Sequence, residues 1–350
     1  MEPEAPLVLV KVGGSALTDK AGVEVLRTCE LRETARQVAR AVGTGVRLVV
    51  VHGAGSFGHT QARRFGVKAG FFCEEGVGGG AAVMGEGVVA VAQGGADGAQ
   101  QEAGRMQMQS GNPAFGFADT RRSVTRLNHY VVEALINEGV AAVGVSPFPT
   151  WKTDKGLLVS DKAEEVAELL RLGFVPVLHG DAVLDRTSGC TILSGDKVME
   201  RLADLLQPSI VGFITDVPGV YDRPPRKDAE GTQRAGEGGG GQAQPQLISE
   251  LLVTPTGDIK VVSSSSASTS NSQSADDIQM DVNEKQDVTG GMRTKVECAA
   301  NIVAKCRVPV YIAQVCVYLY VFVCVCVCLC VFVCVCVLYS HRGPRTCTCA

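Results

Sequence analysis

The sequence predicts an α/β fold in three layers, an αβα sandwich with an open, mostly parallel central sheet. Two observations predict it. Continuous apolar runs, typical of strands that are buried on both faces, recur along the chain, and segments with helical spacing of apolar residues separate them. This alternation favours parallel pairing, because parallel neighbours need a long crossover that a helix can supply.

The first strand–helix–strand unit lies near the start of the chain. Residues 7–12 form the apolar run LVLVKV, residues 30–42 have helical spacing, and residues 46–53 form a second apolar run that ends in glycine. The segment GGSALTDK between the first run and the helix is turn-rich. We therefore expect a βαβ unit here.

The rest of the sheet is predicted from three further apolar runs with helical segments among them. The runs are VAAVGVSPF (140–148), FVPVLHGDAVL (174–184) and SIVGFITDVPGV (209–220). The helical segments cover residues 123–138, 161–172 and 197–206. Two stretches, residues 76–111 and 224–286, are of low complexity and predict flexible insertions. Within the second, LISELL predicts a short ordered element.

Composition and charge narrow the function classes. The net charge is −4, without the excess of basic residues that is typical of proteins that bind nucleic acid. We therefore expect a small-molecule substrate and no nucleic-acid partner. The start MEPEAPLVLVKVGGS has neither a basic n-region nor an apolar h-region, which predicts a cytoplasmic protein. Outside residues 316–349 the cysteines are scattered and form no C-x-x-C pair. They are typical of reduced thiols rather than of a structural zinc site.

Glycine loops follow the predicted strands, at the edge where open α/β sheets bind ligands. In KVGGSALTDK, Lys11 ends the strand, Gly13 and Gly14 form the turn, Ser15 follows, and Lys20 lies beyond. Such glycines let backbone amides approach phosphate oxygens, and lysines add positive charge. A tight turn with two solvated lysines is the alternative, because both usual nucleotide fingerprints are absent.

The second loop, VVVHGAGSFGHTQARRFG, places His59 at the start of a predicted helix. A histidine there can donate a hydrogen bond to an anion held by the helix N-terminus. An isolated histidine is more often a surface residue. Its position in a second glycine loop, after a second strand, favours the anion contact.

Three further loops carry glycine with an acid or a lysine. LSGDKV contains Gly195 and Asp196, TDVPGVYDRPP contains Asp216, and DVTGGMRTKV contains Gly291 and Lys295. Alone, each aspartate could be a helix cap or a turn former. Together, the five loops indicate a site for phosphate groups.

The order of these motifs resembles the amino acid kinase family and, within it, the isopentenyl phosphate kinases. The motifs are KVGGSALTDK, HGAGSFGH, GD followed by ILSGD, TDVPGVY and DVTGGMRTK, and the resemblance spans residues 7–312, interrupted by both insertions. SFGH together with TDK is its more specific part. It implies an amino acid kinase domain at residues 1–313, whose N-terminal part binds the phosphate acceptor and whose C-terminal part binds ATP.

The resemblance also implies roles for individual residues. The ATP phosphates would contact Lys11, Gly13, Gly14, Ser15 and Gly55, and the nucleotide side would include Asp216, Gly291 and Lys295. The acceptor phosphate would contact Ala54, His59 and Gly195. Lys20 would stabilise the transferring phosphoryl group and Asp196 would orient the lysines, so the catalytic set is Lys11, Lys20, His59 and Asp196. No residue is assigned as a metal ligand.

Ala54 departs from the family pattern, which reads H-G-G-G where this chain has HGAG. A methyl group where the backbone approaches a phosphate fits only at a negative φ. The backbone angle of Ala54 therefore decides whether the loop keeps its shape.

The implied reaction is the phosphorylation of isopentenyl phosphate to isopentenyl diphosphate by a homodimer that uses ATP and Mg²⁺. An alkyl phosphate is already largely a dianion at neutral pH, so the reaction needs positive charge rather than a general base. The alternatives are another small phosphate or phosphonate as acceptor, a nucleotide-binding subunit without turnover, and a catalytically defective product.

Residues 314–350 depart from the resemblance and contain the run VFVCVCVCLCVFVCVCV. Its apolar length allows a membrane anchor, its period of two a strand, and its C-x-C spacing a soft-metal tract. A GT dinucleotide repeat read in frame also encodes alternating valine and cysteine, and we favour this origin. We expect an aberrant tail, and membrane association only if the tail is a real anchor.

Overall fold

The computed structural model describes residues 5–71, 112–217, 219–221, 246–254, 259–264, 291–314 and 335–339. The first predicted insertion and much of the second lie outside the described residues, as does most of the tail. The predicted ordered element LISELL is confirmed, because a strand runs over Ile248–Val253.

The elements follow the predicted alternation. The strands are β1 (Leu7–Val12), β2 (Arg47–His52), β3 (Ala142–Gly144), β4 (Lys152–Asp154), β5 (Leu157–Ser160), β6 (Val175–His179), β7 (Asp181–Asp185), β8 (Gly189–Leu193), β9 (Ile210–Thr215), β10 (Ile248–Val253), β11 (Ile259–Ser264), β12 (Val310–Gln314) and β13 (Val335–Tyr339). The helices are α1 (Gly14–Leu17), α2 (Thr28–Gly43), α3 (His59–Arg64), α4 (Pro113–Asn137), α5 (Ala163–Arg171), α6 (Gly195–Leu206) and α7 (Gly291–Cys306).

A nine-stranded sheet forms the centre of the fold, in the order β11-β10-β13-β12-β9-β1-β2-β6-β3. Strand β1 is buried along its whole length and pairs in parallel with β2 on one side and β9 on the other. Within the described residues, the antiparallel pairs of this sheet are β10 with β11 and β12 with β13. The predicted open, mostly parallel sheet is thus confirmed.

Alternate residues of β1 face opposite layers of helices. Leu7 and Leu9 belong to an apolar cluster with side chains of α5, α6 and α7, whereas Val8 and Val10 belong to a second cluster with side chains of α2 and α4. This is the period of two expected of a strand that is covered on both faces. The three-layer αβα arrangement follows from it.

A second, four-stranded sheet in the order β5-β4-β7-β8 was not predicted. It arises because the apolar run at residues 174–184 is divided at Gly180, so that β6 joins the central sheet and β7 the small one. Both halves of the run contain buried apolar residues. Hydrophobic patterning therefore could not separate them.

Five residues of the valine–cysteine tail form a strand. The backbone of β13 pairs antiparallel with β12 and parallel with β10, and so lies between them in the central sheet. The strand alternative fits these five residues, and the rest of the run lies outside the described residues. In the part of the chain that the structure describes, no helix is long and apolar enough to cross a membrane.

Candidate active site

The site lies where neighbouring parallel strands end. A glycine follows each of these strands, and its amide donates to a carbonyl at or near the end of the neighbouring strand in the sheet. The pairs are Gly13 with Ile214 at 2.8 Å, Gly53 with Val12 at 3.0 Å, and Gly180 with His52 at 3.1 Å. These bonds continue the sheet ladder into the loops. The glycine loops are thereby held side by side at the carboxyl edge of the sheet.

The first two glycine loops pack directly on each other. A Cβ atom on Gly14 would lie 2.2 Å from the backbone nitrogen of Gly55, and Gly55 itself has a φ of +54°. Thr18 joins the loops, because its hydroxyl donates to the Gly14 carbonyl at 2.8 Å and accepts from the Ser56 amide at 2.9 Å. Glycine is therefore required at both positions. Thr18 and Ser56 were not predicted as site residues.

A cleft of about 350 Å³ opens over these loops. Of the residues predicted from the sequence, it is lined by Lys11, Gly13, Gly14, Ser15, Lys20, Ala54, Gly55, His59, Gly195, Asp196 and Lys295. The other two predicted residues, Asp216 and Gly291, are not among the described lining residues. Most of the predicted set thus meets in one place, although the set comes from distant parts of the chain.

A buried ion pair forms the floor of the cleft. The Lys11 Nζ atom lies 2.5 Å from Asp196 Oδ1, and the two residues are only 7% and 6% exposed. Ser194 caps helix α6 by accepting the Lys197 amide, which places Asp196 in the first turn. A Cβ on Gly195 would lie 3.1 Å from Lys11 Cε, so the glycine leaves room for the lysine stem.

Two further lysines, Lys20 and Lys295, line the cleft. The side chain of Lys20 is 65% exposed, and its Nζ atom is 4.0 Å from Asp216 Oδ2. Lys295 lies in the first turns of α7 and donates to the carbonyl of Gly291 at 3.1 Å. Asp216 and Gly291 therefore contact lysines of the cleft without lining it themselves.

The backbone of the second glycine loop accommodates an alanine at position 54. This residue has φ −68° and ψ −32°, a conformation open to any L-residue. The methyl group therefore fits without backbone strain. His59 begins α3, as predicted, and lines the cleft together with Arg63 one turn later. Arg63 was not predicted as a site residue, although it lies four residues after His59 and therefore on the same face of the helix.

A polar cluster beside the cleft was also missed. The buried carboxylate of Asp181 accepts hydrogen bonds from Arg121 Nε at 3.1 Å, from the Ser146 hydroxyl at 3.2 Å and from the Ala182 amide at 2.9 Å. Arg121 also stacks over the Phe148 ring, 4.2 Å from its centroid. Only Asp181 had a sequence signal, as part of the GD within the apolar run 174–184.

Two buried histidines lie beneath the loops. Burial, followed by the nearby charge of His179, lowers the pKa of His52 to about 4, and burial also lowers the pKa of His179. Each Nδ1 atom lies within hydrogen-bond distance of the next glycine's carbonyl, 3.1 Å for Gly53 and 3.0 Å for Gly180. Both imidazoles are therefore neutral near pH 7 and help to hold the loops. The His-Gly pair at each strand end is the signal that could have found them.

The carboxylates of the cleft form no metal-ligand cluster. Among the described residues, no group of three histidine, cysteine, aspartate or glutamate side chains could hold a metal ion. Asp196 forms an ion pair with Lys11, and the Asp181 carboxylate already accepts hydrogen bonds from protein donors. A divalent ion here would depend mainly on oxygens that a ligand brings.

The sequence of this chain is similar to those of known kinases. Residues 6–234 match the family model described as "Amino acid kinase family". The isopentenyl phosphate kinase of Arabidopsis thaliana is 35% identical over 343 residues, covering 87% of this chain and 86% of the relative. The isopentenyl phosphate kinase of Methanothermobacter thermautotrophicus is 30% identical over 225 residues, covering 63% of this chain and 71% of the relative.

Solved structures agree on the fold. A structure titled "X-ray structures of isopentenyl phosphate kinase" matches with a TM-score of 0.56 and 22% identity, covering 89% of this chain and 92% of the other. The Thermoplasma acidophilum isopentenyl phosphate kinase product complex matches with a TM-score of 0.55 and 21% identity, covering 88% and 91%. At such low identity these two structures bear on the fold alone.

Proposed function

The chain belongs to the amino acid kinase family and, within it, to the isopentenyl phosphate kinases; from this premise we propose that it transfers the γ-phosphoryl group of ATP to isopentenyl phosphate. The products would be isopentenyl diphosphate and ADP. The observation that carries the proposal is the single cleft in which both close-packed glycine loops meet Lys11, Lys20 and Lys295.

The cleft suits two phosphate-bearing ligands. Glycine loops without side chains leave backbone amides accessible to phosphate oxygens, and a Cβ at Gly14 or Gly55 would close the approach between the loops. We assign the nucleotide phosphates to the loop of Gly13 and Gly14, with Lys295 nearby. We assign the acceptor phosphate to the second loop, where His59 begins a helix.

Positive charge is the main contribution of the protein to the reaction. The acceptor phosphate is largely a dianion near neutral pH and attacks the γ-phosphorus directly, so no side chain needs to remove a proton. The difficulty is the repulsion between two anions. Lys11, fixed by Asp196, would neutralise the charge on the nucleotide, and Lys20 would stabilise the transferring phosphoryl group.

The site is compatible with Mg²⁺ carried in by the nucleotide. Mg²⁺ needs few protein ligands when phosphate oxygens and water fill its shell, and the cleft offers the engaged carboxylates Asp196 and Asp181 rather than a dedicated cage. When bound, the ion would withdraw charge from the phosphates and orient them. Cytoplasmic location and a homodimeric state stay predictions from the sequence.

A turnover assay tests the proposal. The purified full chain is incubated with ATP, Mg²⁺ and isopentenyl phosphate, and ADP and the diphosphate product are quantified. A matched panel of other short alkyl phosphates and phosphonates tests the acceptor. We expect isopentenyl phosphate to have the highest kcat/KM. A preference for another acceptor would contradict the substrate assignment, and no turnover with any acceptor would contradict the activity.

A substitution at His59 tests the two-ligand assignment. We expect His59→Ala to raise the KM for isopentenyl phosphate or abolish turnover, because the acceptor phosphate loses a hydrogen-bond donor. The Kd for ATP, measured by calorimetry, should change less than about two-fold, which corresponds to under half a kcal/mol. Unchanged acceptor kinetics would contradict this role. His129→Ala on the outer part of α4 is the matched control, and it should behave like the parent chain.

A further inference from the structure

The loop that carries Lys20 is a short hairpin between α1 and α2. Thr18 and Leu26 form an antiparallel bridge at its base, and the Asp19 amide donates to the Val25 carbonyl at 3.0 Å. Lys20 lies at the start of the tip. The position of its ammonium group therefore depends on how the tip is held.

Ser56 of the second glycine loop provides one attachment for the hairpin. The Glu24 amide donates to the Ser56 carbonyl at 3.1 Å, and the Val25 amide donates to the Ser56 hydroxyl at 3.3 Å. Both contacts lie where the tip of the hairpin returns to its base, at Glu24 and Val25. They couple the lysine loop to the loop assigned to the acceptor phosphate.

Glu24 provides the second attachment, through its side chain. Its Oε1 atom accepts from Arg122 Nη2 at 3.1 Å and from Gln61 Nε2 at 3.2 Å, and its Oε2 atom accepts from Arg126 Nη1 at 3.0 Å. The carboxylate is thus held by donors on two helices, α4 and α3. Its side chain is 14% exposed, in contrast to 57% for Arg122 and 52% for Arg126.

The backbone of Glu24 supports a specific function for this contact. Its φ of +56° lies in the left-handed region, which glycine or asparagine adopts more readily than glutamate. A glutamate at this position accepts a conformational cost of roughly 1 kcal/mol or more. Among the described residues, those that line the cleft do not include Glu24. Its carboxylate acts on α4 and α3, away from the ligands.

We propose that Glu24 is a positioning residue that fixes the Lys20 loop over the cleft by clamping the hairpin tip to α4 and α3. The inference rests on the proposed function, because Lys20 is placed there at the transferring phosphoryl group. A largely exposed lysine can stabilise a transition state only if its loop holds the ammonium group in a defined position. An ordinary exposed ion pair, by contrast, contributes little and would leave turnover unchanged.

Kinetics of Glu24→Gln test the clamp, with Glu138→Gln as the matched control. Glu138 pairs with Arg36 at 3.3 Å between the end of α4 and α2, on a surface that does not line the cleft. We expect Glu24→Gln to lower kcat by about 10- to 100-fold, the scale on which small misplacements act, and to change both KM values less than about two-fold. Glu138→Gln should retain the parent kcat. An unchanged kcat in Glu24→Gln would overturn the proposal.

The paired change Arg122→Gln with Arg126→Gln should lower kcat to a similar extent. Adding Glu24→Gln to it should have little further effect, because the three side chains act as one unit. Additive losses in the triple variant would contradict the clamp. Equal thermal midpoints of the variants and the parent chain would show that the losses do not come from unfolding.

Amide hydrogen exchange separates this inference from the proposed function. Exchange at residues 20–25 should be faster in Glu24→Gln than in the parent chain or in Glu138→Gln, with or without substrates. Unchanged exchange there would overturn the clamp even in an active enzyme. A parent chain that does not phosphorylate isopentenyl phosphate would contradict the proposed function, and the exchange result would still decide whether Glu24 holds the loop.

Discussion

Lys11 of β1 and Asp196 of α6 form a buried ion pair in the cleft. Removing one partner of such a pair leaves an uncompensated buried charge, which typically costs about 3 to 5 kcal/mol. We expect Asp196→Asn to lower the free energy of unfolding by about that amount or somewhat less, and to lower kcat by at least about 100-fold because Lys11 loses its orientation.

Urea unfolding and steady-state kinetics check this prediction. Asp161→Asn is the matched control: Asp161 pairs with Arg201 at 2.9 Å, but Arg201 is 27% exposed and keeps Glu164 at 3.5 Å and Asp204 at 3.9 Å, so no buried charge is left unpaired. It should change the free energy of unfolding by less than about 1 kcal/mol. A parent-like kcat in Asp196→Asn would contradict the role given to the pair.

Ala54 and Gly55 are neighbours with opposite backbone requirements. Ala54 has a negative φ, so a glycine there would only give the unfolded chain more conformational freedom. We therefore expect Ala54→Gly to lower the free energy of unfolding by about 1 kcal/mol or less and to leave the acceptor KM unchanged. Gly55→Ala places a Cβ 2.1 Å from Thr18 Oγ1 at a φ of +54°. We expect it to lower the free energy of unfolding by about 1 to 3 kcal/mol and to remove most of the activity. Thermal melts with kinetics compare the two variants, and equal effects would contradict the difference.

At the scale of elements, the ends of β2 and β6 carry buried neutral histidines. The folded pKa of His52 is about 4, below its ordinary value of 6.5, so the unfolded chain takes up a proton first as the pH falls. The free energy of unfolding should therefore decrease between about pH 6.5 and pH 4, by up to about 1.4 kcal/mol per pH unit from this group. His179 acts in the same direction.

Urea unfolding at about pH 7.5 and about pH 5 measures this dependence. His52→Gln cannot take up the proton and should show a smaller decrease, with the remainder due to His179 and other groups. A parent chain equally stable at both pH values would contradict the burial of neutral histidines. A variant with the parent's full pH dependence would contradict the share assigned to His52.

The same elements show which features could be predicted from the sequence and which could not. The strand ends of β1 and β2 and the helix start at His59 were predicted because apolar runs and glycine turns are local signals. The division of the run 174–184 between two sheets was not predicted, because both halves contain apolar residues typical of a buried strand. Arg121 was not predicted for a related reason: its contacts with Asp181 and Phe148 join residues that are far apart in the sequence.

At the scale of the whole molecule, β13 connects β10 and β11 to the rest of the central sheet. Truncation after Gln314 removes this strand, and we expect the amides of β10 to exchange faster while those of β1 and β2 keep their protection. Truncation after Tyr339 is the matched control, because it keeps β13. Equal protection of β10 in both truncated chains would contradict the pairing.

Local patterns in the sequence were enough to predict the family, the αβα class and 11 of the residues that line the cleft, because buried strands, glycine turns and their lysines can be identified without knowledge of contacts. Three features became visible only in the tertiary structure: Asp216 and Gly291 contact lysines of the cleft without being among its described lining residues, β13 enters the sheet, and Glu24 meets Arg122 and Arg126. These depend on which surfaces meet across long stretches of chain. Ion pairs between partly exposed side chains leave no periodic signal in the sequence.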